Sequence, residues 1–276
     1  MTHWYDRDGR LHDKVPNASK PGEWRDATLA DAKKLGLGPS VTTVQQILAK
    51  PGLEPWQMGQ TIDAVLATPR LPDEPEDEWR ARVRIKANEV RDKAADFGTQ
   101  VHRAIDLLAR GEGRGVAIEV GVAAYQIAAE ALRVLYERGL TIEAGERSFY
   151  NEQYDYGGTI DIVGTWQGRA CFADVKTQEF NRPRSDVKVQ KWESEEKPVY
   201  ANYYPEHPIQ LAGYALGVEQ PKRDRVSIIV SRTHPGVVDV RNWSTYKSSN
   251  GNGWPNERAD AAWLSLLETW KLVNAW

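Results

Sequence analysis

Two aspartates and a lysine near the middle of the chain have the residue types and spacing of a metal-dependent hydrolytic site. Residues 156–176 read YGGTIDIVGTWQGRACFADVK, in which a run rich in β-branched and aromatic residues and a second apolar run are separated by a Gln-Gly turn pair. Because side chains alternate along a strand, Asp174 and Lys176 point the same way, and the hairpin brings Asp161 beside Asp174. Paired carboxylates suit Mg²⁺ or Mn²⁺, and an adjacent lysine can stabilise charge on a phosphoryl oxygen.

The D-x-K pattern is short, and an Asp–Lys pair on a solvated strand face is the plain alternative. The G-x-x-D that precedes it at hairpin distance favours the site. The chain contains no G-x-x-x-x-G-K-[ST], no G-x-G-x-x-G and no G-x-S-x-G. Their absence argues against nucleotide hydrolysis, dinucleotide chemistry and serine esterase chemistry.

The composition is ordinary for a water-soluble protein. The 276 residues are 41% hydrophobic and 27% charged, and no apolar run approaches the ~18 residues of a membrane span. Because the N-terminus is polar, we expect no membrane association and a cytoplasmic location. The net charge of −3 argues against a protein that coats polyanions. The single cysteine, Cys171, excludes an internal disulfide and a cysteine-ligated zinc or iron–sulfur site.

The elements that must position the hairpin are mainly helices. Cap and breaker residues predict helices before it, at residues 28–35, 41–49, from 55, 78–97, 99–110 and 117–138. After a strand at 141–150 and the hairpin, the pattern predicts a helix from 208, strands at 225–231 and from 237, and a terminal helix over 255–275. We therefore predict one mixed α/β sheet flanked by helices, preceded by a helical section of about 95 residues.

Three polar side chains on these helices are further candidates. His102 lies beside the apolar stripe of a helix opened by Gly98-Thr99, although a lone histidine there is more often a packed or surface residue than a ligand. Pro208 opens a helix that places Gln210 and Tyr214 on one face, four residues apart.

Cations interleaved with aromatic residues indicate where a nucleic-acid strand could bind. Eleven tryptophans are a high count, most of them expected in the core and some free to stack on bases. The basic helix at 78–97 and the polar stretch at 178–205 fit phosphate contacts, but a solvated helix face and a plain surface loop fit as well. The candidate DNA-binding residues are Lys50, Trp56, Arg182, Arg184, Lys188 and Lys191.

Four short motifs, in this order, resemble the PD-(D/E)XK nuclease superfamily in its RecB-like branch, in particular exonucleases of the phage and mitochondrial genome-maintenance type. The motifs are G-T-Q-V-H, G-G-T-I-D, D-V-K and Q-L-A-G-Y, with P-S-V-T-T-V and K-P-G-L-E-P-W before them. The resemblance covers most of the chain from Pro39 to Val240. It implies a restriction-endonuclease-like core at 96–245, an N-terminal helical cap at 1–95 and a C-terminal helix at 246–276 packed on the core.

The resemblance also implies a site for one or two Mg²⁺ or Mn²⁺ ions. His102 would be the helix-borne ligand, Asp161 and Asp174 the metal carboxylates, and Val175 would offer its backbone carbonyl. Glu146 is a weaker candidate for an additional acidic ligand, and a salt bridge at the rim explains it as well.

Lys176 would be the catalytic lysine by the same resemblance, while Gln210 and Tyr214 match the Q-x-x-x-Y helix that holds the strand near the scissile phosphate. Two departures are visible. The third motif is D-V-K rather than the commoner E-x-K, and the four-cysteine iron–sulfur cluster of some relatives is impossible here.

Together these observations predict a metal-dependent DNA exonuclease acting on single-stranded or duplex ends in phage-type recombination, repair or processing, for which a recombination protein is a candidate partner. A water would attack the phosphodiester in line, with Mg²⁺ activating it and stabilising the leaving oxygen. The alternatives are a structure-specific endonuclease and a non-catalytic nucleic-acid-binding module of the same fold.

Overall fold

The computed structural model describes residues 2–50, 53–113, 115–183, 198–247 and 253–276. The chain divides into two compact units, one made of Met1–Ile47 with Val101–Trp276 and the other of Leu48–Gln100. The sequence predicted a boundary at residue 95, whereas the two units change over after Ile47 and after Gln100. The first 47 residues belong to the larger unit because they pair among themselves and contact its central sheet.

A five-stranded mixed sheet forms the centre of the larger unit, in agreement with the sequence. Its strands lie side by side in chain order: β5 (Leu140–Asn151), β6 (Tyr156–Trp166), β7 (Arg169–Gln178), β8 (Asp224–Ser231) and β9 (Val238–Asn242). All neighbours are antiparallel except β7 and β8, which are parallel. A parallel pair requires a crossover connection, and residues 179–223 supply it.

The predicted hairpin is the β6–β7 pair. Gln167 and Gly168 both have positive φ, 51° and 78°, which is the left-handed conformation of a two-residue type I′ turn. Such a turn fixes the register of the two strands, and Trp166 therefore lies opposite Arg169. Strand β8 is buried along its whole length, including the polar residues Asp224, Arg225 and Ser227.

Helices flank this sheet. Helix α6 (Val122–Glu137) contacts β5, β8 and β9, whereas α7 (Glu206–Gly217) contacts β5 to β8. The C-terminal helix α8 (Asn256–Val273) packs on α7 and buries its predicted stripe, including Trp263 and Trp270. The arrangement is thus a mixed α/β fold with a central sheet between helices.

The N-terminal 47 residues are short strands and helices rather than a helical cap. Strands β1 (Trp4–Tyr5) and β4 (Gly38–Pro39) pair and both contact β6, while β2 (Lys14–Pro16) and β3 (Trp24–Asp26) form a separate ribbon. Helix α1 (Leu29–Leu35) agrees with the helix predicted over 28–35; it ends at left-handed Gly36, and a capping box at Thr28 begins it. Ser40 caps α2 (Val41–Val44). A single 3-10 turn over Gln45–Ile47 follows, so the helix ends earlier than the predicted residue 49.

The smaller unit contains α3 (Leu53–Ala67) and the first part of α4 (Glu76–Ala109). The prediction that Gly98-Thr99 separate two helices was wrong, because α4 continues through both residues. Thr99 does not cap a helix; its hydroxyl donates to the Ala95 carbonyl at 3.1 Å, inside the helix. One glycine costs a helix only about 1 kcal/mol, which the packed residues that follow offset.

A break does occur where one helix was predicted over 117–138. Helix α5 (Val116–Val120) ends at Gly121, whose φ of 86° is incompatible with a right-handed helix, and α6 begins at the next residue. None of the helices in the described parts of the chain combines the length and the apolar character needed to cross a membrane.

Gly217, the last residue of α7, gives a test of the packing between this helix and the sheet. A Cβ atom on Gly217 would overlap the ring of Phe149, which is itself packed edge-on against Tyr156 and Tyr214. We expect Gly217→Ala to lower the free energy of unfolding by about 1–3 kcal/mol, measured by urea denaturation. The matched control is Gly59→Ala in α3, where a Cβ meets nothing within 4 Å; unchanged or slightly increased stability is expected there. Equal effects of the two variants would contradict this account.

Candidate metal-dependent active site

The candidate site forms where strands β6 and β7 separate. Their antiparallel pairing ends at Ile162 and Ala173, so Asp161 and Asp174 are the next residues on the two strands. There the Asp161 side chain replaces the missing backbone partner, since its Oδ2 accepts a hydrogen bond from the Val175 N–H at 2.7 Å. The two predicted carboxylates are therefore brought to the same point of the sheet.

N-terminal residues occupy the space that β7 leaves beside β6. Gly157 is bridged to Ser40 on one side and paired with Tyr150 of β5 on the other. A Cβ atom on Gly157 would lie 2.5 Å from the Tyr5 Cβ, so the close approach requires glycine here. The Tyr5 hydroxyl lies 2.8 Å from the Thr159 hydroxyl, which fixes this segment two residues from Asp161.

Asp174 is the most buried member of the site, with no exposed surface. Its Oδ1 accepts hydrogen bonds from Lys176 Nζ at 2.7 Å and from Gln210 Nε2 at 2.8 Å. Its Oδ2 is buried and has no hydrogen-bond partner among the described residues. Asp13 and Asp260 also have one buried oxygen without a hydrogen-bond partner, but both are partly exposed, whereas Asp174 has no exposed surface. This state of Asp174 is compatible with a position that a ligand completes.

His102 reaches the site from α4. Its Nδ1 lies 3.5 Å from Asp161 Oδ2, and the imidazole is partly exposed. His102 belongs to the part of α4 that lies in the larger unit, which begins at Val101. The structure thus brings His102, Asp161, Asp174 and Lys176 together.

Gln210 and Tyr214 join the site from α7, as their spacing predicted. Gln210 Nε2 donates to the Tyr214 hydroxyl at 2.6 Å as well as to Asp174. Burial, together with the charges of Asp174 and Asp161, raises the pKa of Tyr214 well above its usual value. Tyr214 therefore remains a neutral phenol that can donate its own proton to an acceptor.

The charges of the site shift one another's protonation. Burial raises the pKa of Asp174 to about 6, against the opposing charge of Lys176. Burial also acts on Asp161, but the charge of His102 and its hydrogen bond outweigh it, and the pKa of Asp161 is lowered. For Lys176 and His102 burial acts to lower the pKa, and the neighbouring carboxylates raise it overall. Lys176 is consequently an ammonium ion at neutral pH.

Two further carboxylates act on this site. Glu146 has a φ of 39°, and the charges of Arg103 and Arg110 act on its carboxylate. Burial and then the charges of Asp106 and Asp161 raise its pKa. Glu206, whose charge raises the pKa of Lys176, was missed because the helix was predicted to begin only at Pro208.

The donor set fits a hard divalent cation. In the described parts of the chain, no three carboxylate, histidine or cysteine side chains converge into a complete metal site. Mg²⁺, however, is usually held by one or two carboxylates and takes its other ligands from water and substrate phosphates. The unsatisfied Oδ2 of Asp174 and the carboxylate of Asp161 meet that requirement, with His102 and the Val175 carbonyl as the remaining candidates.

The predicted DNA-binding residues are spread over both units. Lys50 and Trp56 are exposed and belong to the smaller unit, and Arg182 belongs to the larger unit, in an isolated bridge with Tyr200. Arg184, Lys188 and Lys191 lie outside the described residues.

The basic part of α4 is largely neutralised within its own unit. Ion pairs with nearby carboxylates engage Arg80, Arg82, Lys86, Arg91 and Lys93. These side chains are mostly exposed, and such pairs are weak, so the pairing is compatible with a solvated helix face and with phosphate contacts.

The shifted pKa of Asp174 predicts a pH dependence of stability in EDTA. A carboxyl whose pKa is raised from 3.8 to about 6 on folding stabilises the fold fully below about pH 4, and this contribution is lost as pH rises through about 6. The loss is on the order of 3 kcal/mol. Asp174→Asn lacks this term, so its stability relative to the wild type should increase between pH 4 and pH 7, as measured by thermal denaturation.

Glu152→Gln, which neutralises an exposed carboxylate, is the control and should follow the wild type at every pH. Parallel curves for the wild type and Asp174→Asn would show that Asp174 is not an unfavourably buried acid.

No family model and no curated protein matches this sequence. The assignment of the site therefore rests on the residues that it brings together and on their geometry.

Proposed function

We propose that this protein is a Mg²⁺- or Mn²⁺-dependent deoxyribonuclease of the PD-(D/E)XK type. The observation that carries the proposal is the state of Asp174: a fully buried carboxylate with one oxygen held by Lys176 and Gln210 and the other without a partner. A plain Asp–Lys pair on a solvated strand does not have this burial. This arrangement is expected of a carboxylate that is preorganised to bind a cation.

The fold supports the same proposal. The mixed sheet has the motif-bearing hairpin at its centre and helices around it, which agrees with a restriction-endonuclease-like core. The four motifs that carry the resemblance come from α4, β6, β7 and α7, four elements that are separated along the chain and meet at one site.

Asp161 and Asp174 would hold the cation, with His102 and the Val175 carbonyl beside them. When bound, the cation would act as a Lewis acid that lowers the pKa of the attacking water and stabilises charge on the phosphate oxygens. Asp174 is already desolvated by the fold. A bond from its unsatisfied oxygen to the cation would offset part of the free energy that burial of the carboxylate costs.

Lys176 supplies a positively charged side chain to the site. Its ammonium lies 2.7 Å from Asp174 Oδ1 and remains charged, so it can stabilise the negative charge that develops on a phosphoryl oxygen. Gln210 donates hydrogen bonds to both Asp174 and Tyr214, and the Tyr214 phenol would donate its proton to a phosphate oxygen of the bound strand.

Attack at a free DNA end is the finer part of the proposal. It is supported by the resemblance to genome-maintenance exonucleases and by the exposed Lys50 and Trp56 that follow the P-S-V-T-T-V motif. The endonuclease alternative shares the entire site and differs in how DNA enters. A non-catalytic binding module would be expected to have lost one of the four site residues, and all four are present.

The metal part of the proposal predicts that Mn²⁺ stabilises the protein. Because the cation binds only the folded chain, a concentration of about 100 Kd should raise the free energy of unfolding by about 2.7 kcal/mol. Thermal denaturation and calorimetry should show this gain for the wild type and for Glu152→Gln, and no gain for Asp161→Ala or Asp174→Asn. Equal stabilisation of all four proteins would place any bound Mn²⁺ elsewhere.

The catalytic part predicts that Lys176→Ala hydrolyses DNA at least a hundredfold more slowly while still binding DNA and Mn²⁺, since the loss of one such electrostatic group costs on the order of 3 kcal/mol. The measurement is release of nucleotides from end-labelled linear DNA in Mg²⁺, with EDTA as the blank. Lys222→Ala, which removes an exposed lysine, should retain the wild-type rate.

Circular single-stranded DNA distinguishes the two nuclease alternatives in the same assay. An enzyme that needs a free end spares the circle, whereas rapid cutting of the circle, abolished in Asp174→Ala, would establish an endonuclease. Absence of hydrolysis of either substrate by the wild type would overturn the catalytic proposal.

A further inference from the structure

A small pocket lined by aromatic residues lies in the larger unit, immediately before α7. Its cavity volume is about 190 Å³, and its lining consists of Tyr203, Tyr204, Pro205, Arg241, Trp243, Tyr246, Gly253 and Trp254. These residues come from the segment that leads into α7, from the end of β9 and from the segment before α8. From the sequence, most tryptophans were expected in the core, and this group of aromatic residues was not predicted.

Arg241 is held in the pocket by aromatic faces rather than by a carboxylate. Its Cζ lies 3.8 Å from the ring centroid of Tyr203, 4.3 Å from that of Tyr246 and 5.1 Å from that of Trp243. Stacking engages the face of a guanidinium and leaves its in-plane N–H donors unused. Within the described residues, Arg241 forms no ion pair, so these donors are available to an anion such as a phosphate.

The pocket is built rigidly. Trp243 Nε1 donates to the Ser227 hydroxyl at 2.8 Å, and Trp243 packs edge-on against Tyr203 at 5.8 Å. Trp254 is stacked under Arg258, whose Cζ lies 4.4 Å from the indole centroid. Tyr204 is 46% exposed and Trp254 is partly exposed, so aromatic surface remains free for a ligand.

The chemistry of the lining selects the class of ligand. It contains no carboxylate among the described residues, and Arg241 occupies the aromatic faces that a cationic ligand would need. A planar ring that stacks on Trp254 or Tyr204, joined to a phosphate that meets Arg241, satisfies both features. A nucleotide has both parts, and the cavity has room for a single base.

The pocket is joined to the candidate active site by two elements. Tyr204 and Pro205 directly precede Glu206, the first residue of α7, whose charge acts on Lys176. Ser227, which fixes Trp243, lies directly beside Asp174 in the β7–β8 register, about 4.8 Å across the sheet. The pocket therefore lies next to β8 and α7, two elements that contact Asp174.

We propose that this pocket binds one nucleotide of the DNA strand, with the base stacked on Trp254 and Tyr204 and a phosphate on Arg241. The identity of the ligand as DNA rests on the proposed function. Stacking and phosphate contact tolerate every base, so the pocket positions the strand without selecting a sequence.

Binding measured in EDTA tests the pocket separately from hydrolysis. The probe is a fluorescein-labelled oligothymidine of about 12 nucleotides, followed by fluorescence anisotropy at several salt concentrations. We expect Trp254→Ala and Tyr204→Ala each to weaken binding about fivefold or more. Arg241→Gln should weaken binding and also reduce the slope of log Kd against log salt concentration by about 0.7, the value for one phosphate contact on a single strand.

The matched controls are Trp24→Ala, which removes a tryptophan that is 67% exposed in β3, and Arg10→Gln, which removes an exposed arginine. Both should bind as the wild type does, and circular dichroism of every variant verifies the fold. Because Arg241 packs against three rings, the two aromatic variants keep the test decisive if Arg241→Gln does not fold.

The outcomes separate this proposal from the proposed function. Unchanged binding and salt slope in the pocket variants, with normal hydrolysis in Mg²⁺, would overturn the pocket and leave the nuclease. Weakened binding in the pocket variants supports the pocket even if the wild type hydrolyses nothing, in which case the nuclease proposal alone fails. A wild type that binds neither the oligonucleotide nor thymidine 5′-monophosphate in calorimetry overturns the pocket.

Discussion

The burial of the Asp174 carboxylate is the constraint on which the rest of the larger unit depends. A charge without partners at the centre of a sheet costs several kcal/mol, and Asp174 is tolerated because Lys176 and Gln210 both donate to one of its oxygens. One donor comes from its own strand and the other from α7, so the site requires that the helix be docked in register with β7. The second oxygen is buried without a hydrogen-bond partner, which is unfavourable for stability. Such a destabilising feature is common at sites that bind a ligand.

The separation of β6 from β7 is the second feature that forms the candidate site. Sheets lose hydrogen bonds where strands diverge, and here the Asp161 side chain satisfies the Val175 N–H that the ladder no longer reaches. The same carboxylate faces His102, so one residue supports the backbone and belongs to the candidate metal site. The N-terminal segment through Tyr5 and Ser40 fills the gap beside β6, which explains why these residues belong to the larger unit.

Charge is used differently in the two units. In the smaller unit five cations of α4 pair with nearby carboxylates, which stabilises the helix. In the larger unit Lys176 is engaged with an incompletely satisfied acid, and Arg241 is held only by aromatic rings among the described residues. Cations in that state can still form strong contacts with phosphates.

Local rules were enough to predict the hairpin, the shared direction of Asp174 and Lys176, the helices that begin near residues 28 and 41, and the central sheet between helices. Turn chemistry, helix capping and strand alternation act over a few residues, which is why these features could be predicted. Local rules failed at Gly98-Thr99 and at Gly121, where neighbouring packing decides whether a glycine interrupts a helix. The approach of Glu206 to Lys176 and the stacking of Arg241 could not be predicted. These contacts join segments far apart in the chain, and only the docking of α7 and β9 on the sheet brings them together. The sequence thus determined which residues can do the chemistry, and the tertiary structure decided that Asp174 is fully buried and only half satisfied, because burial is a property of everything packed around a side chain.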